Sequence, residues 1–322
     1  MASAIARCLC GLALFPFSFA LRAADAERVA PGPATFRATT RMVLVPFTVT
    51  DYNGKSIVGL QANDFTITDD QSLEQIVSFA YQDIPCSIGL VLDISGSMQS
   101  SLGAVKEAAR AFVRTANPED EFHLLTVSTQ PAATSEFTSD VAALEEKIAY
   151  TKPGGFTALI DTVYLGLDHM RKAPHPQRAL VILSDGMDNH SRYSKSELLR
   201  VALEADVQVY SIIIDNGAVG SSTSGIPYRP SLAQKPWDQA AQRQGPNLLE
   251  ELADKTGGLY FHARNTSEAK DGMMKAGEAL RNQYVIGYQP AEPGLSGKWH
   301  RIRIKTTVPK VHVHARSGYY AP

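Results

Sequence analysis

The chain has 322 residues, 44% of them hydrophobic and 20% charged, and a formal net charge of −2 at pH 7. This composition excludes a disordered polypeptide, and the near-neutral balance excludes a general attraction to nucleic acid or anionic lipid, so partners must be selected by a site rather than by bulk charge. The length accommodates one or two domains with a sizeable core.

The N-terminal segment "MASAIARCLCGLALFPFSFALRAADA" sets Arg7 ahead of an apolar run from Cys8 to Leu21, followed by small residues from Ala23 to Ala26. The run is short for a bilayer span and leads into an A-x-A-like segment. It therefore predicts a cleaved signal over residues 1–26 and an exported chain, periplasmic or extracellular, with no stable membrane span after cleavage. Removal of that segment takes Cys8 and Cys10 with it and leaves Cys86 without an intramolecular partner, so Cys86 is expected to be a small buried hydrophobe at a strand start.

A Pro/Gly/Ala-rich linker is expected over 27–40 and a β segment over 41–85. In "MVLVPFTVTDYNGKSIV", Val43, Val45, Phe47 and Val49 share one face at period two, and Asn53-Gly54 supplies a hairpin turn. "DFTITDD" and "QIVSFAY" continue the short-strand pattern.

From 86 to 280 apolar strands alternate with amphipathic helices. "SIGLVLD", "EFHLLTVST", "RALVILSD", "DVQVYSIIID" and "GLYFHA" are too apolar for a half-solvated sheet. Between them fall "LGAVKEAARAFVRTA", "DVAALEEKIAY", "TALIDTVYLGLDHMRKA", "SKSELLRVALEA" and "NLLEELADKTG". The alternation predicts an α/β domain with a doubly wound, mostly parallel sheet covered on both faces. After a helix in "SEAKDGMMKAGEALRNQ", period two returns in "YVIGYQP", "WHRIRIKTTV" and "VHVHARSGYY". A lone hairpin is marginally stable, so the segment 281–322 is expected to complete a small β-sandwich-like domain with the N-terminal strands, the α/β domain being an insertion in it.

Ligands of open parallel sheets bind outside the carboxyl ends of the strands. Asp93 follows "IGLVL" and Asp185 follows "RALVILS", while Ser95 and Ser97 alternate with Asp93 in "DISGSM" and Thr157 stands in "GGFTALID" at a helix entrance. Two carboxylates and three hydroxyls, with no Cys or His, suit a hard divalent cation: Mg²⁺ first, then Mn²⁺ or Ca²⁺, ahead of Zn²⁺. Hydroxyl ligands leave such a cation under-neutralised, so the site would attract an exogenous carboxylate.

"DISGSM", "GGFTALID" and "ILSDGMDN" in this order resemble the three parts of the metal-ion-dependent adhesion site of von Willebrand factor type A domains, a doubly wound fold. The flanks "VTDYNGKSIVGLQANDFTITDD", "LADKTGGLYF", "LRNQYVIGYQP" and "HARSGYY" are similar to bacterial proteins of the same group that abound in acidobacteria. The resemblance implies that Ser95, Ser97 and Thr157 ligate the cation directly. Asp93 and Asp185 would act largely through water or by orienting ligands, and a last position would be left for the Asp or Glu of a protein partner. It implies a secreted or periplasmic, adhesion-type interaction module; an envelope assembly factor and a metal-assisted hydrolase are the alternatives.

For the hydrolase the sequence offers only His190 as a nearby titratable group, and no G-x-S-x-G elbow, H-E-x-x-H helix or Walker loop. Asp188 and His190 are candidate partner contacts at the mouth of the site, although with Asn189 they also read as turn formers. Tyr228, Arg229 and Trp237, in the long connection 219–246, are further candidate contacts. Arg301, Arg303 and Lys305, and separately His312 and His314, alternate on strands and read as solvated faces. Sequons at Asn189 and Asn265 are short enough to occur by chance.

Overall fold

A computed structural model describes residues 42–133, 136–215, 247–290 and 297–321. Tyr228, Arg229 and Trp237 lie outside the described residues.

Four strands precede the α/β portion: β1 (Val43–Thr50), β2 (Phe65–Asp69), β3 (Ser72–Glu74) and β4 (Ile76–Gln82). Then follow β5 (Cys86–Asp93), α1 (Leu102–Arg114), β6 (Glu121–Val127), the two-residue β7 (Ala132–Ala133), α2 (Val141–Tyr150) and α3 (Leu159–Met170). The series continues through β8 (Gln177–Ser184), α4 (Lys195–Ala205), β9 (Gln208–Ile214), α5 (247–256), β10 (Tyr260–Ala263) and α6 (Thr266–Arg281). The chain closes with β11 (Gln283–Tyr288), β12 (Trp299–Thr306), β13 (His312–Ala315) and β14 (Gly318–Tyr320).

The central sheet runs β10-β9-β8-β5-β6-β7, all parallel except the short β7. Every residue of β5 is buried, as expected of a strand covered on both sides. Its side chains alternate between two cores: Ile88, Leu90 and Leu92 pack with α1, α2 and α6, and Val91 packs with α3, α4 and α5. Gly89 permits the close approach of the second layer, because a Cβ there would stand 2.3 Å from Leu180 Cδ2. Helix starts follow the polar residues ahead of each apolar stripe. Asp140 accepts from Ala143 N at 3.0 Å, Asn265 accepts from Glu268 N at 2.9 Å, and Ser194 forms a reciprocal capping box with Glu197.

The connections fix where a site can form. The chain leaves β5 for β6 on one side and returns to β8 on the other, so the strand order reverses between β5 and β8. A crevice opens at the carboxyl ends of those two strands, the topological switch point. Asp93 ends β5, and Asp185 directly follows β8.

The flanks form two further antiparallel sheets, β13-β1-β11-β4 and β14-β12-β2-β3, each joining N- and C-terminal strands. Val45, Phe47 and Val49 are fully buried with Phe65, Ile67, Tyr284, Ile286, Ile302 and Ile304, which makes a sandwich core from both ends of the chain. Phe47 lies 5.0 Å from Phe65, edge to face, and stacks on Tyr284 at 5.5 Å. Asn53-Gly54 does sit in a turn, with Gly54 at φ 77°, but the returning segment makes one bridge, Thr50 to Ser56, instead of a strand. The pairing edge of β1 is taken by β13, whose His312–Ala315 faces Phe47–Thr50. Cys86 opens β5 and is buried, and burial pushes its thiol well above the ordinary range. Arg301, Arg303 and Lys305 are exposed while Ile302 and Ile304 between them are buried. No helix among the described residues is long and apolar enough to cross a membrane.

Candidate metal centre at the strand ends

Three chain segments meet at the crevice through main-chain hydrogen bonds. Gly154 N donates to Ile94 O at 2.8 Å and Gly96 N donates to Gly155 O at 3.0 Å, which lays the loop before α3 against the turn after β5. Asn189 N and His190 N both donate to Thr157 O, at 3.0 and 3.1 Å, which ties the loop after β8 to the same point. Gly155 adopts φ 85°, and a Cβ on it would stand 2.5 Å from Thr129 Oγ1, so only glycine lets this loop close over its neighbour.

Within this frame Asp93 is fully buried. Its Oδ1 accepts from Ser95 N at 2.9 Å and its Oδ2 from Ser184 Oγ at 2.6 Å. Burial pushes its carboxyl up to about 6, against the pull of the Ser184 and Ser95 hydrogen bonds, and the Asp185 charge adds to the rise. Ser95, also buried, caps a short 3-10 turn over Gly96–Met98, which turns Ser97 back beside it; the two Oγ atoms lie 3.1 Å apart. Thr157 is buried and its N donates to Asn189 Oδ1 at 3.0 Å. Asp185 Oδ1 accepts from Met187 N at 3.0 Å. The segments carrying all five residues therefore share one crevice, with Ser97 at its exposed side and the other four buried.

The donor set fits a hard divalent cation. All its side-chain donors are oxygens, and the 3.1 Å separation of the Ser95 and Ser97 hydroxyls is close to the adjacent edge, about 3 Å, of an octahedron with bonds of about 2.1 Å.

The rim is built from Asp188 and His190, which the sequence offered as partner contacts, and from residues that it marked only as loop or helix. Asp188 Oδ2 accepts from Ile160 N at 2.9 Å and from Ser191 Oγ at 2.5 Å, so it caps the N-terminus of α3. Asp161, near the start of α3, answers by accepting from Arg192 N at 2.9 Å and Tyr193 N at 3.0 Å. This reciprocal stitching fixes the loop 188–193 to the helix that Thr157 enters. His190 is exposed and stacks on the exposed ring of Phe156 at 5.1 Å. Beyond them lies a groove of about 790 Å³ lined in part by Thr129, Tyr164, Asp168, His190, Arg192 and Tyr193. Tyr164 and Tyr193 stack there at 4.1 Å.

Ser184, Asp161 and Phe156 are the contributors that the sequence did not assign, and Asn189 was read chiefly as a turn former. Ser184 carries the one available signal, a hydroxyl ending an otherwise apolar strand directly before Asp185.

A family model, von Willebrand factor type A domain, matches residues 88–187, which hold all five candidate ligands. An uncharacterized protein of Borreliella burgdorferi is 25% identical over 185 residues, 54% of this chain and 52% of that protein, so the match spans about half the length of that curated relative. Among solved structures, von Willebrand factor type A from Catenulispora acidiphila is similar at 12% identity and a TM-score of 0.47, covering 89% of this chain and 75% of that one. The vWF domain of a type V pili tip protein from Porphyromonas gingivalis is similar at 13% identity and a TM-score of 0.47, over 62% of this chain and 95% of that one.

Proposed function

We propose, from the match of residues 88–187 to the von Willebrand factor type A domain, that the chain is a protein-interaction module that captures an acidic side chain of a partner through a divalent cation, Mg²⁺ in the first place and Mn²⁺ or Ca²⁺ otherwise. The observation that carries this reading is the meeting of the Asp93, Thr157 and Asp185 segments at the switch point, with the Ser95 and Ser97 hydroxyls 3.1 Å apart. Ser95, Ser97 and Thr157 would hold the cation, with Asp93 and Asp185 supplying negative charge behind it. The bound cation would supply a positive centre with a coordination position open to a carboxylate.

The chain's own residues prepare the site in three ways. Asp93 orients Ser95 by accepting its N–H, while Ser184 holds the other carboxylate oxygen, so the acid cannot swing. Asn189 and Asp188 hold the Thr157 loop and the start of α3. Phe156, His190 and the tyrosine pair Tyr164 and Tyr193 present an aromatic rim, the chemistry that supplies contact area at low side-chain entropy cost to a bound protein.

Binding rather than catalysis is the reading because His190, the base that the sequence offered, lies flat on Phe156 at the rim. Export, expected from the N-terminal apolar run, belongs to the same proposal and puts the partner in the periplasm or outside the cell.

Calorimetric titration of Mg²⁺, Mn²⁺ and Ca²⁺ into metal-stripped protein tests the site, with Asp93→Ala and the double variant Ser95→Ala/Ser97→Ala beside it. Saturable binding by the wild type that both variants lose is the expected result. Equal binding by wild type and variants, or none by a folded wild type, would overturn the reading.

A further inference from the structure

Outside the crevice, the sandwich gathers a second set of metal-ligating groups. Asp69 ends β2, Asp70 opens the turn to β3, and His300 is the second residue of β12. His300 Nδ1 lies 3.4 Å from Asp69 Oδ1 and 3.2 Å from Asp70 Oδ2. One ligand atom from each residue falls within 4.8 Å of the others. From this geometry we propose that Asp69, Asp70 and His300 form a binding site for a borderline divalent cation, Zn²⁺ by preference, distinct from the hard-cation site at the strand ends.

Three observations carry the assignment. The first is an unmet need: Asp69 is 4% exposed, yet its Oδ1, aimed at His300 Nδ1, accepts no hydrogen bond. A buried carboxylate oxygen without a donor is costly, and a cation between it and the imidazole removes that cost.

The second is spacing. A tetrahedral ion with bonds of about 2.0–2.1 Å has ligand-to-ligand edges of about 3.3–3.4 Å. The two measured separations, 3.2 and 3.4 Å, fall at that length. One imidazole with two carboxylates is a donor set for Zn²⁺ and its neighbours, whereas Mg²⁺ and Ca²⁺ take oxygens.

The third is support behind the ligands. Asp69 Oδ2 accepts from Tyr288 Oη at 2.8 Å and Tyr319 Oη at 2.9 Å, and the His300 ring stacks on Tyr319 at 5.3 Å. Asp70 Oδ1 accepts from Arg301 N at 2.9 Å, leaving Oδ2 for the ion. Such partners fix the orientation of ligating groups. His300 Nε2 is buried without a partner, a cost that stands whichever cation faces Nδ1.

The competing occupant is a proton: an imidazolium at His300 would pair with both carboxylates over the same distances. The Asp70 side chain is 41% exposed, so an ion has a path in and a fourth position open to water. Because two ligands come from the N-terminal flank and one from the C-terminal flank, the ion would join the two ends of the chain that build the sandwich.

Metal-stripped protein titrated with Co²⁺, a visible-absorbing stand-in for Zn²⁺, separates the two occupants. Wild type should show a saturable tetrahedral Co²⁺ band that Zn²⁺ displaces. Asp93→Ala should keep it, and Asp70→Asn and His300→Gln should weaken Co²⁺ binding by about tenfold or more. If His300→Gln does not fold, Asp70→Asn, a change at a half-exposed side chain, decides alone. A wild type without the band, a band that Asp70→Asn retains in full, or a band lost instead in His312→Ala would overturn the proposal. Mg²⁺ binding at the strand ends is read separately, so either assignment can fail without the other.

Discussion

The strand-end crevice and the sandwich cluster solve the placement of charged groups in opposite ways. In the crevice, Asp93, Ser95 and Ser97 come from five consecutive positions, and what holds them lies on neighbouring strand ends and loops, Ser184 on Asp93 and Gly155 on Gly96. In the sandwich the partners are remote: Asp69 and Tyr288 are 219 positions apart, and tyrosine hydroxyls from the far end of the chain orient the acid. A parallel sheet delivers its strand ends to one edge by topology, whereas the sandwich brings the acids and the histidine together by pairing β2 with β12, strands from opposite ends of the chain. The crevice should therefore stay folded when one neighbour is lost, even where its affinity falls, and the cluster should depend on the integrity of the whole sandwich.

The largest expected effect breaks the sandwich. Phe47→Ala removes a fully buried ring packed on Phe65 and Tyr284 and should cost about 3–5 kcal/mol. Gln283 Nε2 donates to Gln208 Oε1 at 2.5 Å and Thr48 Oγ1 donates to Ala279 O at 3.2 Å, so the sandwich is joined to the α/β portion through buried polar contacts. Denaturant unfolding should then remain a single transition at a lower midpoint; two separated transitions would show that the portions unfold independently.

A smaller effect lies in the acid range. Burial, with the charge of His312 as a lesser cause, holds His314 down at about 4 from its ordinary 6.5. Between those values the unfolded chain binds a proton that the folded chain refuses, so stability present above pH 6.5 is lost as the pH falls toward 4. The loss is at most about 3 kcal/mol, and less because His314 retains solvent contact that screens it. His314→Gln, which can still bond Thr50 Oγ1, should flatten the stability profile across that window; an unchanged slope would mean other groups set it.

These differences also explain what the sequence disclosed. The doubly wound fold was legible because uniformly apolar strands alternate with amphipathic helices, and Asp93, Ser95, Ser97, Thr157 and Asp185 stand out because each follows a strand or enters a helix. Ser184 and Asp161 were not legible as contributors: Ser has many roles at strand ends, and Asp161 sits inside an amphipathic helix pattern. The Asp69, Asp70 and His300 cluster was hidden for another reason. In "WHRIRIKTTV" the eye follows the exposed Arg301, Arg303 and Lys305, while His300 belongs to the buried phase of the same alternation. Nothing local says that "TDD" will lie against it, since that depends on the pairing of Ile302 with Asp69 between neighbouring strands of one sheet.

The smallest predicted change sharpens the contrast most. Asp188→Ala removes the side chain that accepts from Ile160 N and Ser191 Oγ, and a lost helix cap costs about 1 kcal/mol. Stability should barely move, because Asn189 and His190 still donate to Thr157 O and Asp161 still accepts from Arg192 and Tyr193. What should move is the position of the Thr157 loop, and with it Mg²⁺ affinity, by about tenfold, as for residues that orient a ligand without touching the ion. Co²⁺ binding at Asp69, Asp70 and His300 should stay as in wild type, since Asp188 acts through Ile160 and Ser191, in the α/β portion. Equal losses at both sites would mean that the variant acts through global stability, and the independence of the two regions would fall with it.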